Sequence, residues 1–416
     1  MRTALTLLLV LVATGASSAT ATPTETTKLD VVLMRHGVRS PTKPAETYAA
    51  YANGNWPAWS VAPGILTPHG HDGVSAIGGR LRRLFLDDGV MTTACPHPAS
   101  FVVIGDTTPR NRESAAAFLD GATPGCQGSF LAMEAGANNP LFHFVKGTGK
   151  GKTDDDDDGG AGDTVPTPAL AELQTVLLGC TPADCAGVAN RGNKKLLVEG
   201  PDSVAKAMKL AGTLSENLML SYVEGMPMNA VAFGRADAAV LGRLITLHNA
   251  QFAATKKAMP AAAHAASNLV AHIAASLDAA HGAKPGVAPL NASGHGVVVL
   301  VGHDTNLANV AGVLGLDWHD PLTPDDYPPG GALVFSLVHR GNKDFVRIRS
   351  LMPSMDALRT NRFDDVAAKP VRVQGCGKIG ECTMGEFDAL VRKAVDPARV
   401  DASLPAMIPT QGENRK

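Results

Sequence analysis

The run Val297-Val298-Val299-Leu300-Val301 constrains this chain more than any other stretch. It is apolar throughout and mostly β-branched, which suits a strand covered on both faces at the centre of a parallel sheet. It runs into Gly302-His303-Asp304-Thr305-Asn306. The following residues, 307–314, have helical apolar spacing and stop at Gly315. This strand-turn-helix unit places the chain in the α/β class. His303 and Asp304 then sit at the carboxyl end of a strand, where open α/β sheets bind ligands. The free N–H groups of the next helix favour an anion there.

A second strand end carries more chemistry. The stretch 29–34 (LDVVLM) leads into Arg35-His36-Gly37-Val38-Arg39-Ser40-Pro41. Two guanidiniums beside His36 disfavour its protonation and hold it neutral at acidic pH. A neutral imidazole is a nucleophile, and guanidiniums grip a phosphate in fork geometry. The plain alternative is a strand-end turn without chemistry. A third unit weighs against it: the strand pattern 101–106 (FVVIGD), the turn 107–112 (TTPRNR) and the helical pattern 113–119 bring Arg110 to another strand end. An acid, a nucleophile and several cations make a set for hydrolysing a phosphomonoester.

Taken in order, these blocks resemble the histidine acid phosphatases. The pattern is closest to the bacterial periplasmic phytases, which act on myo-inositol hexakisphosphate. The likeness runs through 35–43 (RHGVRSPTK), 56–59 (WPAW), 66–68 (LTP), 247–252 (LHNAQF), 302–309 (GHDTNLAN) and 328–334 (PPGGALV). It implies a phosphoglycerate-mutase-like sheet flanked by helices, with a smaller α-helical domain inserted. It implies that His36 forms a phosphohistidine and that Asp304 protonates the leaving oxygen, after which water hydrolyses the phosphoenzyme. By the same resemblance Arg35, Arg39, Arg110 and His303 hold phosphate oxygens. Thr42, Lys43, Asp106, Met226 and Thr305 match positions that line the substrate pocket. A proton donor works only while protonated, so an acid pH optimum is expected. No cofactor and no metal are expected, because the arginines neutralise the phosphate.

Two departures bear on the substrate. The run 226–234 (MPMNAVAFG) lacks the acidic residue that phytases carry there and looks more like the related glucose-1-phosphatases. A pocket arginine expected before the helix at 268–277 is replaced by His264-Ala265-Ala266, which implies fewer pocket cations. Thr42-Lys43 and Thr305 favour the phytase side. The reading is an exported acid phosphomonoesterase acting on phytate. The alternative is a glucose-1-phosphatase-like or broad-specificity acid phosphatase.

The chain opens with Met1-Arg2, an apolar run over 4–12 and the small residues Ala19-Thr20-Ala21. This predicts a secretory signal peptide over 1–21, too short to span a membrane, and a periplasmic or secreted protein with no membrane attachment after cleavage. Six cysteines fit an oxidising compartment. Their spacing suggests the pairs Cys95 with Cys126, Cys180 with Cys185 and Cys376 with Cys382, among fifteen possible connectivities. The first and last of these also match disulfides of the resembling family. A net charge of −2 and few aromatics exclude a nucleic-acid binder. The expected partner is a small phosphomonoester, phytate or a sugar phosphate, and nothing in the sequence calls for more than a monomer.

Strand and helix patterns alternate over 22–140, the first part of the α/β domain. Over 141–290 alanine-rich helical patterns dominate and read as the inserted domain. The chain returns to the sheet over 291–416, where 332–339 and 345–351 read as a hairpin. Five aspartates at 154–158 read as a solvated loop rather than a calcium site, since they lack calcium-loop spacing. His69 and His71 read as loop residues near the active site rather than metal ligands. His248 reads as structural, and His143, His281 and His339 show no partner pattern.

Overall fold

The computed structural model describes residues 25–143, 167–197 and 201–412. The expected signal peptide and the aspartates at 154–158 lie outside them. Strand β1 (Glu25–Arg35) is followed by helix α1 (Pro68–Asp87), β2 (Phe101–Gly105), α2 (Pro109–Ala122) and β3 (Phe130–Ala132). Helices α3 (Thr167–Leu178), α4 (Cys185–Arg191), α5 (Pro201–Val223), α6 (Ala238–Leu244), α7 (Thr246–Phe252) and α8 (Ala261–His281) come next. Then follow β4 (Gly296–Gly302), α9 (Asp304–Leu314) and β5 (Leu316–Asp317). The remaining elements are β6 (Ala332–Arg340), β7 (Lys343–Leu351), α10 (Met355–Thr360), β8 (Lys369–Pro370), β9 (Arg372–Val373), β10 (Glu381–Thr383), α11 (Met384–Ala394) and β11 (Ile408–Thr410).

The main sheet has the order β10-β7-β6-β1-β4-β2-β3-β11, with β8 beside β7. Strands β1, β4, β2 and β3 are parallel neighbours, so their carboxyl ends share one edge. All seven residues of β4 are buried, as its unbroken apolar run requires at the centre of a sheet covered on both faces. Alternation splits the strand side chains between two cores. Val32, Met34, Val103, Val299 and Val301 pack with α1, α2 and α5. Leu33, Ile104, Leu300, Leu333 and Phe335 pack with α8, α9 and α11. Helix α8 falls inside the sequence segment 141–290. In space it packs on β1, β6 and α9 and belongs to the sheet's own helix layer.

Helix α1 begins at Thr67, whose hydroxyl accepts from the Gly70 N–H at 2.9 Å, with Pro68 in the first turn. Its first turn lies directly against the loop after β1. A Cβ on Gly37 would sit 2.7 Å from the Gly70 carbonyl, and one on Gly70 only 2.0 Å from the Val38 carbonyl. Glycine is therefore required at both positions for this approach. His69 and His71 lie in this helix and not in a loop, because Thr67-Pro68 caps it earlier than the apolar pattern suggests. His69 Nε2 bonds the Leu358 carbonyl at 2.8 Å.

The expected hairpin is β6–β7, with Arg340 facing Lys343 across a two-residue turn whose Gly341 has φ +66°. The cysteines pair as Cys95–Cys126, Cys180–Cys185 and Cys376–Cys382. One polar cluster interrupts the first core. Asp30 of β1 is fully buried and accepts from Ser336 Oγ at 2.6 Å. Arg349 stands between it (3.7 Å) and Asp88. Burial, reinforced by the nearby Asp88 charge, pushes the Asp30 carboxyl up to about 7.

Candidate active site

Three parallel strands end at one place. Backbone bonds lock the exits together: His36 N–H donates to the Gly302 carbonyl at 2.9 Å, and Asp106 N–H donates to the Val301 carbonyl at 3.0 Å. His303 caps α9, with Asn306 Oδ1 accepting from the His303 N–H at 2.8 Å. A cavity of about 880 Å³ opens over these ends. This is at the upper end of the range for small-molecule sites.

The expected residues divide into three groups. His36, Arg39, Thr42, Lys43, Arg110, His303, Asp304 and Thr305 line the cavity. Arg35 and Asp106 do not: both are fully buried beneath it. Their side chains bond other residues: Arg35 pairs with Glu216 and Asp304, and Asp106 with His143. Met226 is not among the side chains lining the cavity and packs against the first core.

Burial, then the charges of Arg110, Arg35 and Arg39, hold the His36 imidazole neutral, well below its ordinary range. Its Nδ1 lies 2.8 Å from the Gly37 carbonyl oxygen. A carbonyl only accepts, so Nδ1 carries the proton and Nε2 holds the lone pair. His303 is held neutral in the same way, by burial and then Arg110. The two rings meet edge to face with centroids 5.5 Å apart. Asp304 joins Arg35 through Oδ2–Nη2 at 2.8 Å, and its Oδ1 accepts from the Thr305 N–H at 2.8 Å.

Four functional positions were not anticipated from the sequence. Glu216 of α5 is buried and bonds Arg35; its Oε2 also accepts from Arg39 Nη2 at 3.2 Å. Burial alone would raise this carboxyl, but Arg39 and Arg35 outweigh it and hold it well below the usual range. A lone carboxylate in the apolar stripe of Leu214 and Leu218 is the sequence signal for it. Asn111 Nδ2 lies 3.0 Å from His303 Nε2. His143, which shows no partner pattern in sequence, bonds Asp106 Oδ2 through Nε2 at 2.9 Å, beside His303. His248 is buried, lines the cavity and stacks on Phe252 at 4.1 Å.

Two sets, Asp106 with His143 and His303 and Glu216 with His248 and Asp304, bring metal-ligand atoms within 4.8 Å of one another. In both, carboxylates already serve imidazoles or guanidiniums, and Arg39 and Arg110 stand nearby. The donor set suits an oxyanion better than a cation. Seven of the lining side chains are Lys or Arg against two carboxylates, in a chain of net charge −2. The cavity is therefore locally positive on a chain that is close to neutral. Among the described residues, no helix is long and apolar enough to cross a membrane.

No family model matches the chain. It is similar over most of its length to characterised proteins. The phytase AppA of Escherichia coli (strain K12) is 28% identical over 407 residues, covering 88% of this chain and 92% of that one. A glucose-1-phosphatase of Salmonella typhimurium is 26% identical over 397 residues, covering 89% and 93%. The apo structure of the Hafnia alvei phytase superposes with a TM-score of 0.76 at 28% identity, covering 92% of this chain and 100% of that one. That phytase has also been solved in complex with myo-inositol hexakis sulphate.

Proposed function

We infer that this chain, which belongs to the histidine acid phosphatases in the branch of the bacterial phytases and glucose-1-phosphatases, hydrolyses phosphate monoesters and takes phytate as its substrate. One observation carries the reaction: His36 is neutral, with its Nε2 lone pair available, on a wall shared with Arg39, Arg110 and His303. Nε2 attacks phosphorus as the ester P–O bond breaks. The leaving oxygen takes a proton from Asp304. Water then attacks the phosphohistidine, returns a proton to Asp304 and releases phosphate. Arg39, Arg110 and His303 surround the phosphoryl oxygens, where charge develops.

Arg35 acts one layer back. It is fully buried and ties Asp304 to Glu216 and to the Tyr327 carbonyl. That fixes the proton donor relative to the nucleophile. Asp106 with Asn111 fixes His303. Phytate, rather than a small sugar phosphate, is supported by the size and strong positive charge of the cavity. Export is supported by the leader pattern at 1–21 and by the three disulfides.

The test is a ratio: kcat/KM for phytate over kcat/KM for glucose 1-phosphate at acid pH, with His36→Ala as the blank. A ratio well above one, lost in the variant, supports the reading. A ratio below one identifies a sugar-phosphate phosphatase instead.

A further inference from the structure

The missing arginine near Ala265 raises the question of what replaces its charge. The cavity is also lined by four lysines that no strand-end motif includes: Lys195, Lys206, Lys209 and Lys256. Lys206, Lys209, Thr213 and Glu216 follow one another at helical spacing and all line the cavity, so they form one face of α5. The inner end of this face is Glu216, which holds Arg35 and Arg39. Its outer end is Lys206, ten residues or about 15 Å along the helix. Lys195 reaches the same cavity from the segment after α4, with its ammonium 6.0 Å from the Tyr51 ring centroid. Lys256 comes from the π-helical turn at Ala253–Lys257 and is only 7% exposed.

A charged helix face is usually a solvated surface. Here its charges instead meet cations from two other parts of the chain around one concavity. Gathering like charges opposes folding through repulsion, and a polyanionic ligand is what such an arrangement attracts. The active-site arginines suffice for the one phosphate that reacts. Along α5, Lys209 and Lys206 lie successively farther from Glu216 and the arginines it holds, on a wall that a larger substrate would reach.

We propose that Lys195, Lys206, Lys209 and Lys256 hold the phosphates of phytate that are not being cleaved, so that preference for a polyphosphorylated substrate is set by the helical segment and not by the sheet. This rests on the phytate reading. It also reverses the weak pocket charge implied by the absent arginine, because the compensating cations come from different elements.

The test is the triple variant Lys195→Gln/Lys206→Gln/Lys209→Gln, whose positions are exposed, with Lys256→Gln made separately. Steady-state kinetics on phytate and on p-nitrophenyl phosphate are measured across ionic strength, with thermal melts to check folding. The triple variant is expected to lose about tenfold or more in kcat/KM for phytate and less than about twofold for p-nitrophenyl phosphate. The salt dependence of phytate turnover should flatten. An unchanged kcat/KM for phytate, or an equal fall on both substrates, overturns the proposal. A wild-type enzyme that does not prefer phytate to the monophosphate overturns the phytate reading itself, and this proposal with it.

Discussion

His36 is held by Gly37: Nδ1 donates to the Gly37 carbonyl at 2.8 Å, and Nε2 is left as the nucleophilic nitrogen. The glycine fits because α1 packs where its side chain would be. Replacing His36 by Ala removes the attacking atom and leaves the phosphate cradle. The expected result is a fall in kcat of about a thousandfold or more on every substrate, with inorganic phosphate still bound as a competitive ligand. Kinetics and product-inhibition constants check this.

Asp304→Asn removes the proton donor and keeps its shape; its single amide oxygen can accept from either Arg35 or the Thr305 N–H, but not from both. A sugar or inositol alkoxide leaves poorly without a proton, whereas p-nitrophenolate leaves unaided. The variant is expected to lose about 10²–10⁴ in kcat on phytate and less than about tenfold on p-nitrophenyl phosphate. Equal losses on both would remove Asp304 from the donor role.

Glu216→Gln takes the shared carboxylate from between Arg35 and Arg39. Breaking a buried pair by removing one partner costs about 3–5 kcal/mol. The carboxyl is held below its ordinary value in the folded protein, so its contribution is present above that value, 4.5, and is lost as the pH falls below it. The stability gap between wild type and variant should therefore narrow on acidification. Urea melts across that range measure it, and kcat/KM for phytate should fall because both guanidiniums lose their anchor.

Asp30 runs the other way. Its ordinary value is 3.8 and its folded value about 7, so between these pH values the folded protein keeps a proton that the unfolded chain has released. Stability from this group is full at the acid end and is lost as the pH rises towards 7. Asp30→Asn keeps a neutral side chain at every pH. Thermal melts at the two ends of this window should show a smaller loss of stability on neutralisation than in wild type, and a relative gain for the variant at the neutral end.

The parts of this molecule that were legible in the sequence are those built locally. A strand, its turn and the next helix are contiguous, so 29–41, 101–119 and 297–315 display both their periodicity and the side chains they deliver to the sheet edge. What was not legible arrives from a distance. Glu216 reaches Arg35 across 181 positions, from a helix whose pattern shows only an apolar stripe. The α5 lysines carry no motif of their own, and only the fold turns them towards the cavity. Arg35 and Arg39 lie in one motif, yet strand geometry buries the first and points the second into the site. Met226 was placed by motif similarity in one of the two regions where the motif departs from its relatives, and its side chain packs against the first core.

The most direct test is to trap the intermediate. Wild-type enzyme and His36→Ala are mixed with phytate, quenched in alkali within one turnover, where phosphohistidine survives, and mapped by mass spectrometry. The account predicts a phosphoryl group on the His36 peptide of wild type, none in the variant, and loss of the label when turnover runs to completion. A label on another residue, or a wild-type enzyme that turns over with no covalent intermediate, would contradict it.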